Sequence, residues 1–224
     1  IVNGQIGFMQ QRAAGELQIR VFNPSIDSDG WESDHTVVEL VNDDRPFLVD
    51  SASLALTEMG VGIHLVVHPV VRVDRNDNGD LLRVYPRDEE GGRAESVIQL
   101  HIEKHTDRGD LDAIRERLVA AMADVHRSVD DWQAMVAAVK DAVEHMPGWA
   151  PGVKESWMAE CQDFMRWLID DNFVLLGVRD YAVRGKGDKA TLNVVGGSGL
   201  GILREDKGTR RSRPVADLAP EARR

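Results

Sequence analysis

The sequence predicts an α+β sandwich: one sheet with helices on a single face, followed by additional helices and a C-terminal β-hairpin. Three observations predict it. Apolar residues form strand-like runs in HTVVELV and from Gly62 to Asp74, and recur at helical spacing between them. Asn78-Gly79 marks a tight turn into LLRVY, so a strand pair follows the first helix. A second helical stripe then follows the strand around Val97 to Glu103. Strand, helix, strand, strand, helix is the order of the split βαβ, ferredoxin-like fold.

Composition bounds the function. The 224 residues are 42% apolar, ample for a core, and carry 27 basic against 38 acidic groups, a formal charge of −11 that argues against nucleic-acid binding. No apolar run approaches the roughly 20 residues that span a bilayer, and no signal-peptide pattern opens the chain. A single cysteine, Cys161, makes no internal disulfide, and a cytoplasmic location is expected. The chain opens on Ile1 rather than Met and ends in a charged segment from Arg204 to Pro214 and then EARR, which reads as a piece of a longer polypeptide.

Residues 1–33 form an extension with a short strand near Gln18 to Phe22 and a turn at NPSIDSDGW. The patterned module is 34–127. His35 to Val41 is its first strand. Leu48, Ala52, Ala55 and Met59, with Val49 and Leu56, make an amphipathic helix that Pro46 starts and Gly60 ends. Gly62 to Asp74 reads as one long strand whose odd positions, Ile63 through Val73, are buried and whose even positions are mixed. Ile98, Leu100 and Ile102 face inward from the next strand, and Asp107 or Asp110 caps a helix with the stripe Leu111, Ile114, Leu118 and Ala121. Segment 128–172 is helical, with stripes Trp132, Met135, Val136, Val139, Val143 and then Trp157, Cys161, Phe164, Leu168. Segment 173–224 holds FVLLGVRDYAV and ATLNVV, a hairpin able to close or extend the sheet, and then a linker.

The strand-to-helix corner NDDRPFLVD is the first candidate site. Helix starts expose unpaired N–H groups suited to a carboxylate, and Asp43, Asp44 and Arg45 could add contacts to an amino acid. Ordinary capping by Asp with a solvated Arg45 is the competing reading. A second set is His64, His68 and His101 with Glu39 and Glu103. Histidines four apart on a strand stand roughly 13 Å apart at about 3.3 Å per residue, too far to share one zinc, which needs donors within about 2.0–2.2 Å. A solvated or interfacial sheet face is the expected reading, and a metal-dependent enzyme built on His64, His68 and His101 is the alternative. The glycine run NVVGGSGLGILRED lacks the third glycine of a dinucleotide loop and any Gly-Lys-Ser/Thr, so it reads as a mobile connector or docking loop. Cys161 reads as core, and Asp130-Asp131 and Asp170-Asp171 as a helix start and a helix end.

NDDRPFLVDSASLALTEMGVGIHLVVHPVVRVDRNDNGDL resembles the amino-terminal region of the large NAD-specific glutamate dehydrogenases of bacteria. The resemblance continues through Asp29 to Trp31, Glu95 to Lys104, Ser128 to Met135, Arg166 to Tyr181 and Gly197 to Arg204. It implies an ACT-type βαββαβ module, a fold that in other proteins binds amino acids and pairs side by side. It implies no catalytic residue, metal or cofactor on this segment; NAD and the oxidative deamination of glutamate belong to a dehydrogenase domain elsewhere in the polypeptide. The implied partners are a second copy or downstream domains, with an amino-acid effector possible. Against the wider ACT pattern, Asp44, Arg45 and Pro46 match the corner, and Gly60, Val61 and Ile63 match the following strand start. Phe47 stands where a glycine belongs, and Gly62 and His64 depart where a polar asparagine is missing. The candidate ligand residues are therefore Asn42, Asp43, Asp44, Arg45, Phe47, Gly60 and Gly62. Phe47 is expected to fill the pocket, which favours a module kept for packing and assembly.

Overall fold

Residues 2–86, 88–149, 152–204 and 212–218 are described by the computed structural model, which divides the chain into two units, 1–125 and 126–224. The charged linker read at 205–211 and the tail at 219–224 lie outside the described residues. The first unit runs α1 (Val2–Met9), β1 (Gln18–Phe22), α2 (Ile26–Asp29), β2 (Thr36–Asp43), α3 (Leu48–Glu58), β3 (Ile63–Val67), β4 (Val70–Arg75), β5 (Leu81–Tyr85), β6 (Arg93–Ile102) and most of α4 (Arg108–Asp130). The second carries α5 (Trp132–Trp149), α6 (Glu155–Trp167), β7 (Gly177–Val178), β8 (Tyr181–Arg184), β9 (Thr191–Val194), β10 (Leu200–Gly201) and β11 (Arg213–Pro214).

The mixed helix and antiparallel-sheet class agrees with the sequence. The sheet order is β1-β2-β6-β4-β5, with β3 also on β6. The strand expected over 62–74 is two strands on one track along β6: Val67 lies opposite Gln99 and Val70 opposite Ser96. Pro69 makes the break, because it has no N–H for the ladder; its carbonyl still accepts from the Val97 N–H at 3.0 Å. Beside β2 lies β1, which precedes it in the chain and pairs from Gln18 opposite Val41 to Phe22 opposite Val37. The β8–β9 hairpin forms a separate small sheet with β11.

β2 is buried on both faces, since alternate residues meet different layers. Val38 and Leu40, with Ile98, Leu100 and Ile102 of β6, occupy the face covered by the buried stripes of α3 (Leu48, Ala52, Ala55, Leu56) and α4 (Ile114, Leu118, Met122). On the opposite face Val41 and Val97 pack with Met9, Phe8 and Val71. Asp107 caps α4, its Oδ1 accepting from the Gly109 N–H at 2.7 Å.

Two expected buried stripes are exposed instead. In β3, Leu65 is 48% and Val67 37% exposed, because this stretch is an outer strand paired, among the described residues, with β6 alone. In α6 no residue is buried, and Trp157, Phe164 and Cys161 are exposed. The half-buried side of α6 is Met158, Gln162 and Met165, one residue out of phase, with Gln162 Nε2 donating to the Val143 carbonyl at 2.7 Å.

Candidate functional site

The 42–48 corner is built by a left-handed residue. Phe47 has φ 70° and ψ 5°, the geometry of the third residue of a type II turn, where glycine is favoured and proline precedes it. Pro46 therefore serves this turn rather than the first turn of α3. The ring of Phe47 is 45% exposed, so the expected plug is not in the core: the left-handed backbone leaves it outside. Phe47 also supplies no side-chain cap to α3.

The corner's carboxylates are spent on the protein itself. Asp43 accepts from Arg12 at 2.8 Å, with Arg93 at 3.8 Å. Burial alone would raise its carboxyl, but Arg12, assisted by Arg93 and Arg45, holds it below the ordinary range. Asp44 accepts from Ser96 Oγ at 2.6 Å, and Ser96 Oγ meets His68 Nε2 at 3.1 Å. In a nucleophilic triad the imidazole stands between serine and carboxylate; here a buried serine stands between the other two, so it is a brace. Asn42 is buried. Gly60 takes φ 76° after α3. A side chain at Gly62 would press on Glu103 Oε1, and its carbonyl accepts from the Glu103 N–H at 2.9 Å.

Below the corner lies a knot the sequence did not disclose. Arg12 and Glu95 are fully buried and joined at 2.9 Å. Arg75 donates to both Glu95 oxygens at 2.8 Å and to the carbonyls of Met9 and Gly79 at 2.9 Å. Arg12 completes its donors on the Glu16 carbonyl at 2.7 Å. Burial pushes the Glu95 carboxyl up, yet Arg75, Arg12 and Arg93 outweigh it and hold it low. The adjoining depression, about 430 Å³, is lined by Arg12, Arg75 and Arg93 and by Asp74 and Asp77, and all three arginines are already engaged by Glu95.

The structure regroups the histidines. A bulge after Ile63 sets His64 beside His35, ring centroids 4.4 Å apart, and His35 is 6.0 Å from His101. His68 faces Ser96 instead, so His64, His68 and His101 do not converge as the metal-enzyme reading requires. Among the described residues no group of three or more His, Cys, Asp or Glu side chains is placed to hold a metal ion.

The glycine run is a fastened loop rather than a free connector. β10 pairs with β7, and Asp131, between α4 and α5, accepts from the Gly201 N–H at 2.7 Å and from Arg204 Nε at 3.1 Å. Asp131 is thus a clamp as well as a helix start: its carbonyl accepts from the Met135 N–H of α5 at 2.8 Å, and its carboxyl is lowered first by Arg204 and then by the Gly201 N–H. Side chains at Gly199 and Gly201 would collide with the Leu203 and Leu176 carbonyls. These glycines serve close backbone approach within the chain, and among the described residues no helix N-terminus follows them to receive a pyrophosphate.

β3 is the remaining candidate surface. Its sequence IHLVV carries no Asp, Glu, Lys or Arg. Leu65, Val66 and Val67 are exposed, and Val70 continues the patch. Among the described residues, no helix is long and apolar enough to cross a membrane.

Comparison with known proteins accords with this geometry. A family model described as glutamate dehydrogenase, ACT1 domain, matches residues 1–118. A protein named NAD-specific glutamate dehydrogenase from Halomonas elongata is 33% identical over 217 residues, covering 96% of this chain and 14% of that protein. Proteins of the same name from Pseudomonas aeruginosa (29% identity, 84% of this chain, 12% of the relative) and Mycobacterium tuberculosis (28%, 90% and 12%) also match. The chain therefore spans about one eighth of the length of these relatives.

Proposed function

The chain belongs to the glutamate dehydrogenase ACT1-domain family, and from that premise we propose that it is a non-catalytic assembly and regulatory module of an NAD-specific glutamate dehydrogenase. The NAD-dependent deamination of L-glutamate to 2-oxoglutarate and ammonia belongs to another part of that polypeptide. The first unit is a ferredoxin-like module in which β1 takes the position beside β2 that a final strand would hold.

One observation carries the assembly reading: β3 offers an apolar outer edge free of Asp, Glu, Lys and Arg, with no strand on its far side among the described residues. Such an edge is a template for a further strand. A second copy is its occupant, because an antiparallel edge is complementary to itself about a two-fold axis. Two chains of charge −11 can meet there without opposing like charges. Sedimentation of the 224-residue chain tests this. The wild type self-associates and Val66→Lys weakens it; a strictly monomeric wild type ends the proposal.

The exposed ring of Phe47 and the uncapped start of α3 favour a second reading, an amino-acid sensor at the 42–48 corner. Calorimetry with a panel of amino acids separates the two, since heat on binding supports a sensor and none with any amino acid removes it.

A further inference from the structure

The pairing edge begins inside a cluster of imidazoles. His35 precedes β2, His64 is the bulged residue of β3, and His101 lies on β6, with centroids 4.4 and 6.0 Å from His35. Trp31 stacks on His101 at 6.2 Å, and Trp31 Nε1 and His101 Nε2 are buried without a hydrogen-bond partner among the described residues. Glu39 is the carboxylate that acts on His101, and Arg20, Glu103 and Lys104 lie on the adjoining segments. Glu39 on β2 is already engaged by Arg20 at 2.7 Å and Gln99 at 3.1 Å. Arg20 lies behind it on β1. Glu103 adjoins Gly62, and Lys104 donates to the Ser33 carbonyl at 2.8 Å.

His35 and His101 are half-buried and His64 is exposed. Glu39 can offset one added proton, but further protons repel one another, because His35 lies 4.4 Å from His64 and 6.0 Å from His101. Burial, followed by His35, already lowers the His101 imidazole, and Glu39 only partly offsets them. Of the strands that carry or adjoin these rings, β3 is paired on one side only among the described residues, whereas β2 and β6 are each paired on both.

We propose that this three-histidine cluster makes pairing through β3 proton-sensitive: charging the imidazoles loosens the start of β3 from β6 and releases the second copy. The inference rests on the reading of β3 as the pairing edge. Its sign follows from linkage. Loosening the strand relaxes the burial and the crowding by His35 that disfavour a proton on His101, so the separated form takes up protons that the paired form resists. Pairing is therefore complete above about pH 6.5 and is lost as the pH falls below it.

Sedimentation equilibrium of the whole 224-residue chain at pH 8.0 and 5.5, with far-UV circular dichroism at both, tests this. The dissociation constant should rise about tenfold per pH unit for each proton taken up on separation. His35→Gln, which removes the central ring and lies off the pairing strand, should pair normally at pH 8.0 and lose the pH dependence. Equal association of the wild type at both pH values overturns the switch and leaves the pairing edge standing. A monomer at pH 8.0 removes the pairing edge, and the switch with it. A His35→Gln chain as pH-sensitive as the parent, or a loss of secondary structure at pH 5.5, also overturns the switch. Should that variant not fold, NMR titration of the wild-type imidazoles decides: three rings titrating independently near pH 6.5 overturn the proposal.

Discussion

Replacing Phe47 by glycine, a change that would ordinarily empty a core, should here be close to neutral. Truncating a buried aromatic costs about 3–5 kcal/mol. Phe47 is 45% exposed, so the ring contributes about half of the roughly 1.5–3 kcal/mol of a fully buried apolar side chain. Against this, φ 70° imposes about 1–2 kcal/mol of left-handed strain that glycine does not feel. Glycine's greater freedom in the unfolded chain returns about 0.4–1 kcal/mol of loss. The net change lies within about 1 kcal/mol of zero. Alanine is the sharper control, because it loses the ring and keeps the strain. Phe47→Ala should therefore be less stable than Phe47→Gly by about 1 kcal/mol, the reverse of their order at a right-handed site. Urea unfolding followed by circular dichroism measures both variants. A Phe47→Gly chain destabilised by 3 kcal/mol or more, or one less stable than Phe47→Ala, would refute the argument.

Glu95→Gln should cost about 3–5 kcal/mol, because it strands Arg12 and Arg75 in a buried site, and denaturant melts would show it. Glu95 and Asp43 both have lowered folded-state values, so their stabilisation is complete above about pH 4.5 and lost as acid carries the pH through those values. An acid titration of the unfolding midpoint should accordingly be shallower in Glu95→Gln than in the parent. Gly201→Ala should destabilise the second unit by more than about 2 kcal/mol, since the new methyl meets the Leu176 carbonyl at φ 61°. Hydrogen exchange in β7 and β10 would rise in that variant and stay unchanged if the loop were free. Val66→Lys should leave the melting of the chain within about 0.5 kcal/mol of the parent while it weakens association, as expected of an exposed position.

Several elements were legible. β1 at Gln18–Phe22 falls where a short strand is read in a weakly periodic stretch, β5 at Leu81–Tyr85 follows the Asn78-Gly79 turn, and Ile114, Leu118 and Ala121 of the expected α4 stripe are buried. What escaped is what depends on partners distant in the chain. Residues 93, 95, 97, 99 and 101 of β6 read Arg, Glu, Val, Gln, His, a wet face by pattern, yet Glu95, Val97 and Gln99 are buried because segment 8–12 covers part of that face. Arg12 has no local signal in QQRAAGE, and only its contact with Glu95 explains it. The corner was legible as a turn through Pro46. The direction of Phe47 was not, because it depends on a backbone angle that phenylalanine seldom adopts. The stripe of α6 was misphased because aromatic residues usually mark a core; Trp157 and Phe164 here mark the outside.

The place of Gln18–Phe22 beside Thr36–Asp43 governs how the molecule may be shortened. A chain cut to begin near residue 34 would bare one flank of its innermost strand and strip Glu95 of Arg12. That bared flank would recruit strands on its own account, so oligomers of a trimmed chain would report the cut, and only the untrimmed chain can reveal its native partner surface.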